Sequence, residues 1–185
     1  MRSPRLRGSL GLAIVLAALG TARAEGVFLE ARGAYFSPSD AAFREIYGYG
    51  VSWGGEISFA VSKRASVWAG GDYFSKVGKL GFTEEATKIR IAPLAAGLKF
   101  HLALDHLRPY IGAGVAYVQY KEANSIGTIE KGAIGLVGRA GLLVMLGPAF
   151  FIDLQGTWST CSVQPLEVKA NLGGFSFGLG LGFEF

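Results

Sequence analysis

The sequence contains very little cysteine and histidine. Its 185 residues include one cysteine, Cys161, and two histidines, His101 and His106. A lone cysteine cannot close an intramolecular disulfide, so a disulfide-stapled fold is excluded. The two histidines are not accompanied by cysteines or carboxylates at the spacing of a zinc site. We therefore predict no metal-binding and no cofactor-binding residues, and we interpret Cys161 as a passive loop residue.

Long apolar runs are also missing. Beyond the N-terminal segment, the longest uncharged runs are Ala140–Ile152 and Ala170–Phe183. Both are shorter than the roughly 18 residues that a transmembrane helix needs, and both contain Gly or Pro where a helix would break. The apolar half of the composition therefore does not come from helices that span a membrane.

The N-terminal segment reads as an export signal. Three arginines in the first seven residues precede a short apolar core, Leu10–Leu19, and Ala22-Arg23-Ala24 has the A-x-A form of a cleavage site. Together these features predict a signal peptide at 1–24 and a mature domain at 25–185. Position 25 is not a cysteine, so we expect no lipoprotein anchor.

The excess of positive charge belongs to that segment. The whole chain has a net charge of +4, and residues 1–24 hold four arginines and no acidic residue. The other 14 basic residues therefore balance the 14 acidic ones. A neutral mature chain gives no support for nucleic acid as a partner.

What the chain does contain is an alternation of apolar and small residues, clearest at its C-terminus. Every second residue from Phe175 to Phe185 is Phe or Leu, whereas the residues between them, from Gly174 to Glu184, are Gly, Ser or Glu. A period of two is typical of a β-strand and not of a helix. The chain has 28 glycines, and many of them fall on a single face of a strand.

The same alternation predicts eight strands joined by connections of alternating length. The strands are predicted at 26–37, 50–62, 65–77, 87–102, 107–121, 132–146, 149–160 and 170–185. Long connections are predicted at 37–49, 78–87, 122–131 and 161–169, and short turns at 63–64, 103–106 and 147–148. This arrangement indicates an all-β fold, an eight-stranded antiparallel up-and-down transmembrane β-barrel with four surface loops. A phase slip at Ala92-Pro93 indicates a β-bulge, because Pro cannot donate to a ladder.

The composition of the two strand faces separates a membrane barrel from a soluble, lipocalin-type carrier. A soluble barrel points its apolar face inward and exposes a well-solvated face. Here the other face of the last strand is nearly all Gly with Ser176 and Glu184, which suits a narrow lumen. The apolar face is therefore predicted to meet lipid. We accordingly expect Leu179→Arg to harm assembly, and Gly178→Ser to be mild if the lumen has room for a hydroxyl.

Outward aromatic residues are predicted to form two girdles, one at each membrane interface. The girdle on the loop side comprises Tyr35, Trp53, Tyr73, Tyr117 and Trp158. The girdle on the turn side comprises Phe59, Phe100, Phe150, Phe183 and Phe185.

Three segments carry a family resemblance: Gly33–Pro38, Arg108–Tyr117 and the last strand that ends in Phe185. With them, the mature chain resembles the small outer-membrane β-barrel superfamily that includes the transmembrane domains of outer-membrane proteins A, X and W. The resemblance implies a protein of the Gram-negative outer membrane, in contact with outer-membrane lipid and lipopolysaccharide. It also implies that Phe183 and Phe185 form the assembly signal that the barrel assembly machinery recognises.

Charged residues on the predicted inner face form the candidate site. They are Glu30, Arg32, Glu56, Asp72, Lys99, Arg139 and Asp153. Charges inside a narrow barrel must pair with each other or meet trapped water. An ion-pair network that fills the barrel is one interpretation, a gated polar path is a second, and a catalytic carboxylate pair is a third.

The sequence favours a structural or interaction role over an enzymatic one. Superfamily members include enzymes that modify lipid A, which need a nucleophile and a histidine base close together. His101 and His106 lie beside a predicted short turn, whereas Ser159 and Cys161 lie at the opposite rim. We therefore predict no catalytic residues. A narrow channel for small or apolar molecules is the alternative, and a lipid A-modifying barrel is disfavoured.

Overall fold

Ten strands and one short helix make up the part of the chain that the structure describes. The computed structural model describes residues 26–79, 86–102, 104, 106–125, 127–163 and 170–185. The elements are β1 (Val27–Pro38), α1 (Ala41–Tyr47), β2 (Gly50–Ser62), β3 (Ala65–Lys79), β4 (Ala86–His101), β5 (Leu107–Asn124), β6 (Gly127–Met145), β7 (Phe150–Thr160), β8 (Ser162–Val163), β9 (Ala170–Asn171) and β10 (Gly174–Glu184). The predicted signal peptide, 1–24, lies outside the described residues. Within them, no helix has the length and apolar character needed to cross a membrane.

Eight of the strands close into a barrel. Their order around the wall is β1-β10-β7-β6-β5-β4-β3-β2, and every neighbouring pair is antiparallel. The first and last barrel strands complete the closure, because β1 pairs with β10 and Val27 and Phe185 exchange backbone N–H···O hydrogen bonds of 3.0 and 2.8 Å. Closure leaves no unpaired sheet edge in the barrel. The predicted fold class is confirmed.

One predicted surface loop is mostly strand. The connection predicted at 122–131 shrinks to a tight turn, since the ladder of β5 and β6 continues to the pair Asn124 and Gly127. The outward pair at the base of this extension is Lys121 and Glu130. Their polarity ends the apolar alternation before the strand itself ends, and this is why the prediction stopped short.

The predicted β-bulge at Ala92-Pro93 is wrong. Gly71 pairs with Leu94 and Phe74 pairs with Ile91, so the register is the same on both sides of Ala92-Pro93 and no extra residue is inserted. The apparent phase slip has another cause: Ile91 points inward to an apolar cluster, whereas Leu94 points outward. Along β4 the inner face changes from apolar at Ile89 and Ile91 to polar at Lys99, and the strand itself stays regular.

The outer face of the barrel is apolar over most of its height. Its exposed large side chains come from all eight barrel strands and include Leu29, Trp53, Tyr73, Leu98, Val115, Leu136, Leu154 and Phe177. The five aromatics predicted for the loop-side girdle are all exposed on this face. An exposed apolar band backed by a buried polar interior is the arrangement that a lipid environment requires.

Glycines on the inner face of β10 leave room for the side chains of the lumen. A Cβ atom at Gly180 would lie 2.5 Å from the Glu30 carboxylate oxygen, and one at Gly182 would collide with the Phe151 ring. The strand can therefore approach these groups only without side chains. The same holds at Gly178, where a Cβ would lie 2.9 Å from that of Ala34. The room on which a mild effect of Gly178→Ser depends is therefore missing at this position, and we expect the substitution to require a shift of Ala34.

A substitution at Leu179 tests whether the apolar surface faces lipid. It lies at the middle of β10 and is 52% exposed. We expect Leu179→Arg to destabilise the inserted barrel by roughly 2–4 kcal/mol, because the charge would lie near the bilayer midplane. Equilibrium unfolding from lipid vesicles measures this difference, and Leu179→Met is the matched control. An arginine variant as stable as the methionine variant would show that this face does not meet lipid.

Candidate functional site in the barrel lumen

The lumen has three layers along the barrel. At the turn side, an apolar layer is formed by Tyr110, Leu143, Met145 and Phe151. The middle layer holds the charged residues. At the loop side, a larger apolar cluster is formed by Phe36, Phe43, Tyr47, Phe74, Ile89, Ile91, Ala116, Val118, Tyr120, Cys161 and Leu172. The buried charges therefore lie between two apolar layers.

Glu56 is the hub of the charged layer. Its carboxylate accepts hydrogen bonds from Lys99 and Arg139, from Arg32 at 3.4 Å and from Ser58 at 2.7 Å. The cations come from β4, β6 and β1, whereas Glu56 lies on β2. In the order of the wall, β2 and β6 are four strands apart among eight. The contact between Glu56 and Arg139 therefore spans the diameter of the barrel.

Arg32 links two further acids to the hub. Its Nε and Nη2 donate to the two carboxylate oxygens of Asp72, both at 3.0 Å. Its Nη1 also lies 3.7 Å from Glu30. Bidentate pairing of this kind adds geometric specificity to the charge attraction. The guanidinium thus holds carboxylates from three strands in one cluster.

Asp153 is hydrogen-bonded to neutral partners through one of its two carboxylate oxygens. It accepts hydrogen bonds from the Tyr110 hydroxyl at 2.7 Å and from the Gln155 amide at 3.2 Å. Thr157 extends this chain by donating to Gln155 at 3.0 Å. All seven charged residues predicted for the inner face lie in the lumen, and these two hydrogen bonds of Asp153 come from neutral groups.

Two aromatic rings complete the charged layer, and sequence reasoning assigned them no role. The Arg139 guanidinium lies 3.8 Å from the centre of the fully buried Trp68 ring, and the Lys99 ammonium lies 4.7 Å from that of Tyr110. Stacking on a ring stabilises a cation that has lost its water. The alternation along β3 puts Trp68 on the inner face. Its contact with Arg139 cannot be predicted from that strand, because Arg139 lies on β6.

Above the charged layer lies a cavity of about 80 Å³. One wall is apolar and includes Phe74, Ile91 and Val137, whereas the opposite wall carries the hydroxyls of Ser52 and Thr157. Its floor includes Arg32 and Arg139, together with Asp72 and Gln155. A volume of this size can hold several waters or a short apolar group.

The helix α1, inside the first predicted loop, packs onto the loop-side apolar cluster. Asp40 caps it by accepting from the Phe43 N–H at 3.1 Å, and its second oxygen accepts from the Asn171 N–H at 3.2 Å. The bond from Phe43 keeps the pKa of Asp40 below its usual value. At the other end, the Tyr47 hydroxyl donates to Glu122 at 2.7 Å. The helix is therefore tied to β9 and to β5.

A buried serine hydrogen-bonds a half-buried histidine at the turn side of the lumen. Ser66 Oγ and His101 Nε2 are 2.8 Å apart, and the imidazole stacks on Phe28. Ser66 is only 1% exposed, so a substrate cannot reach its hydroxyl. The described residues also contain no group of three metal-ligating side chains.

Comparisons with known proteins define the fold. No protein-family profile and no curated protein matches the sequence. Among solved structures, the chain is similar to the N-terminal barrel domain of Pseudomonas aeruginosa OprF. The alignment covers 88% of this chain and 98% of that domain, at 20% identity and a TM-score of 0.58. Neisserial surface protein A covers 86% and 97%, at 12% identity and a TM-score of 0.68. Pseudomonas aeruginosa OprG covers 88% and 96%, at 16% identity and a TM-score of 0.70.

These similarities assign the chain the fold of the small eight-stranded outer-membrane β-barrels. The recognition made from the sequence is confirmed at this level. The two residues predicted as the assembly signal, Phe183 and Phe185, are both exposed on the outer face, where the last strand meets the first. Their recognition by the assembly machinery stays a prediction.

Arg139 tests the charged layer. We expect Arg139→Met to destabilise the folded barrel by about 3–5 kcal/mol, because Glu56 would remain buried with one cation fewer. Arg64→Met, in the exposed turn after β2, is the control. The midpoint of unfolding in denaturant measures both variants. Equal midpoints for Arg139→Met and the parent would show that Arg139 is not part of a stabilising network.

Proposed function

We propose that this protein is an integral outer-membrane β-barrel with a structural or interaction role, and that its lumen is closed to solutes. The exposed apolar band supports the location, since an outer surface of this kind is stable in lipid and not in water. We assign this role to the loop-side end of the barrel. There α1 and the paired strands β8 and β9 form the surface that lies outside the membrane.

The observation that carries the closed lumen is the contact between Glu56 and Arg139 across the barrel. It joins opposite walls, and Trp68 fills the space beside it. Below it, Phe151 and Met145 form an apolar layer. An eight-stranded barrel has an interior just wide enough for side chains to fill. A hydrated ion would have to displace both layers to pass.

Ion conductance in planar bilayers tests the closed lumen. We expect the parent protein to show no regular conductance steps. The double variant Glu56→Ala/Arg139→Ala removes the contact across the barrel without changing the net charge, and we expect the first current fluctuations there. The control is Lys63→Ala/Arg64→Ala, in the exposed turn, which should stay silent. Regular steps from the parent protein would contradict a closed lumen.

A narrow path for small apolar molecules is a second candidate, and the cavity above the charged layer favours it. Its lining includes Leu136 and Thr160, the last residues of the β6–β7 ladder on the loop side. An apolar guest could enter there without crossing the charged layer. The guest would contact apolar side chains of the lining, such as Phe36, Val118 and Val137.

Filling the cavity tests this second candidate. We expect Val137→Trp to abolish binding of a small apolar probe such as benzene, followed by NMR, to the detergent-solubilised protein, because the indole would occupy the cavity. The control is Val115→Trp, on the exposed outer face. Probe binding that is equal in both variants would assign the signal to the outer surface and remove the cavity as a binding site.

A further inference from the structure

The outward positions of the barrel strands carry charge in one region only. Within the described residues, the outward positions of β1, β2, β7 and β10 hold no charged side chain. Those of β3 to β6 hold five, all at the loop-side end: Lys79, Lys88, Arg90, Lys121 and Glu130. We call these five residues the basic face. Four of them are positive and one is negative, so the basic face has an excess of positive charge.

The register places like charges side by side on this face. Arg90 lies directly opposite Lys121 on the antiparallel pair β4–β5, and Lys88 follows two residues further along the same face of β4. Like charges directly opposite each other destabilise a sheet. Lys121 also contacts Glu130 at 3.1 Å, and both side chains are well exposed. Glu130 offsets only part of the repulsion between these basic residues, and a bound anion would relieve the rest.

The height of the basic face indicates where such an anion lies. Tyr117 and Leu94 pair on the exposed outer face, and outward tyrosines mark the membrane interface. Lys121 and Arg90 each lie four residues further along the same strands. At about 3.3 Å per residue and a tilt of about 40°, this places them roughly 10 Å above that level. Lipid headgroups occupy this height.

We propose that the basic face binds the phosphate groups of lipopolysaccharide in the outer leaflet. Arg90 supplies a planar fork that matches phosphate oxygens, and the lysines supply point charges around it. The proposal rests on the outer-membrane location proposed above. Because the other four strands have no outward charge, the phosphorylated lipid is held at one side of the barrel and the protein presents a fixed orientation to its neighbours.

Binding of lipid A tests the basic face. The full chain is refolded in neutral detergent and titrated with bis-phosphorylated lipid A, and separately with lipid A from which both phosphates have been removed. We expect Arg90→Gln/Lys121→Gln to weaken binding of the phosphorylated form by roughly tenfold or more, since each basic group near an anionic surface contributes about fivefold. Lys63→Gln/Arg64→Gln, at the other end of the barrel, is the matched control.

Two results would overturn the proposal. Equal affinity of the Arg90/Lys121 variant and the parent would show that these residues do not hold the phosphates. Equal affinity of the parent for the two forms of lipid A would show that it recognises acyl chains only. Folding of each variant is checked by its altered mobility on gels without heating. Recovery of the parent protein as a soluble species without detergent would instead refute the outer-membrane location itself.

Discussion

The carboxylate of Glu56 imposes the strictest condition on this fold. A buried carboxylate is tolerated only when cations and hydrogen-bond donors surround it. Here the donors come from β1, β2, β4 and β6, so the carboxylate is satisfied only when the wall is closed in the correct register. A shift of one residue in any of these strands would turn its donor toward lipid. The pairing register of four of the eight barrel strands thus depends on one carboxylate, that of Glu56.

The alternation of residue types along each strand determines both the outer and the inner face of the barrel wall. The same alternation that places Leu179 on the outer face places Gly178 and Gly180 inside, and the absence of side chains there leaves room for Glu30 and Ala34. The interior is then divided along the barrel into a charged layer between apolar ones. In the proposed function, the charged layer closes the passage, and the loop-side layer packs against α1. Membrane insertion, closure and the shape of the loop-side end therefore follow from one pattern.

Alternation was sufficient to predict the strands and the facing of the seven charged residues, because facing depends only on position within a strand. It was insufficient where the inner face is itself apolar: Ile89 and Ile91 were misread as a change of phase, although β4 is regular. Polar outward residues such as Lys121 hid the extension of β5. The stacking of Arg139 on Trp68 depends on strands that meet only across the closed barrel, so no local pattern encodes it.

The contact between Glu56 and Arg139 is tested most directly by a double-mutant cycle. The free energy of unfolding is measured for the parent, for Glu56→Gln, for Arg139→Met and for the variant that carries both changes. Residues in one buried network couple by about 0.5–3 kcal/mol. We predict that the double variant loses less stability than the sum of the two single losses, by at least about 1 kcal/mol. Additive losses, within about 0.5 kcal/mol, would contradict a contact that joins the opposite walls.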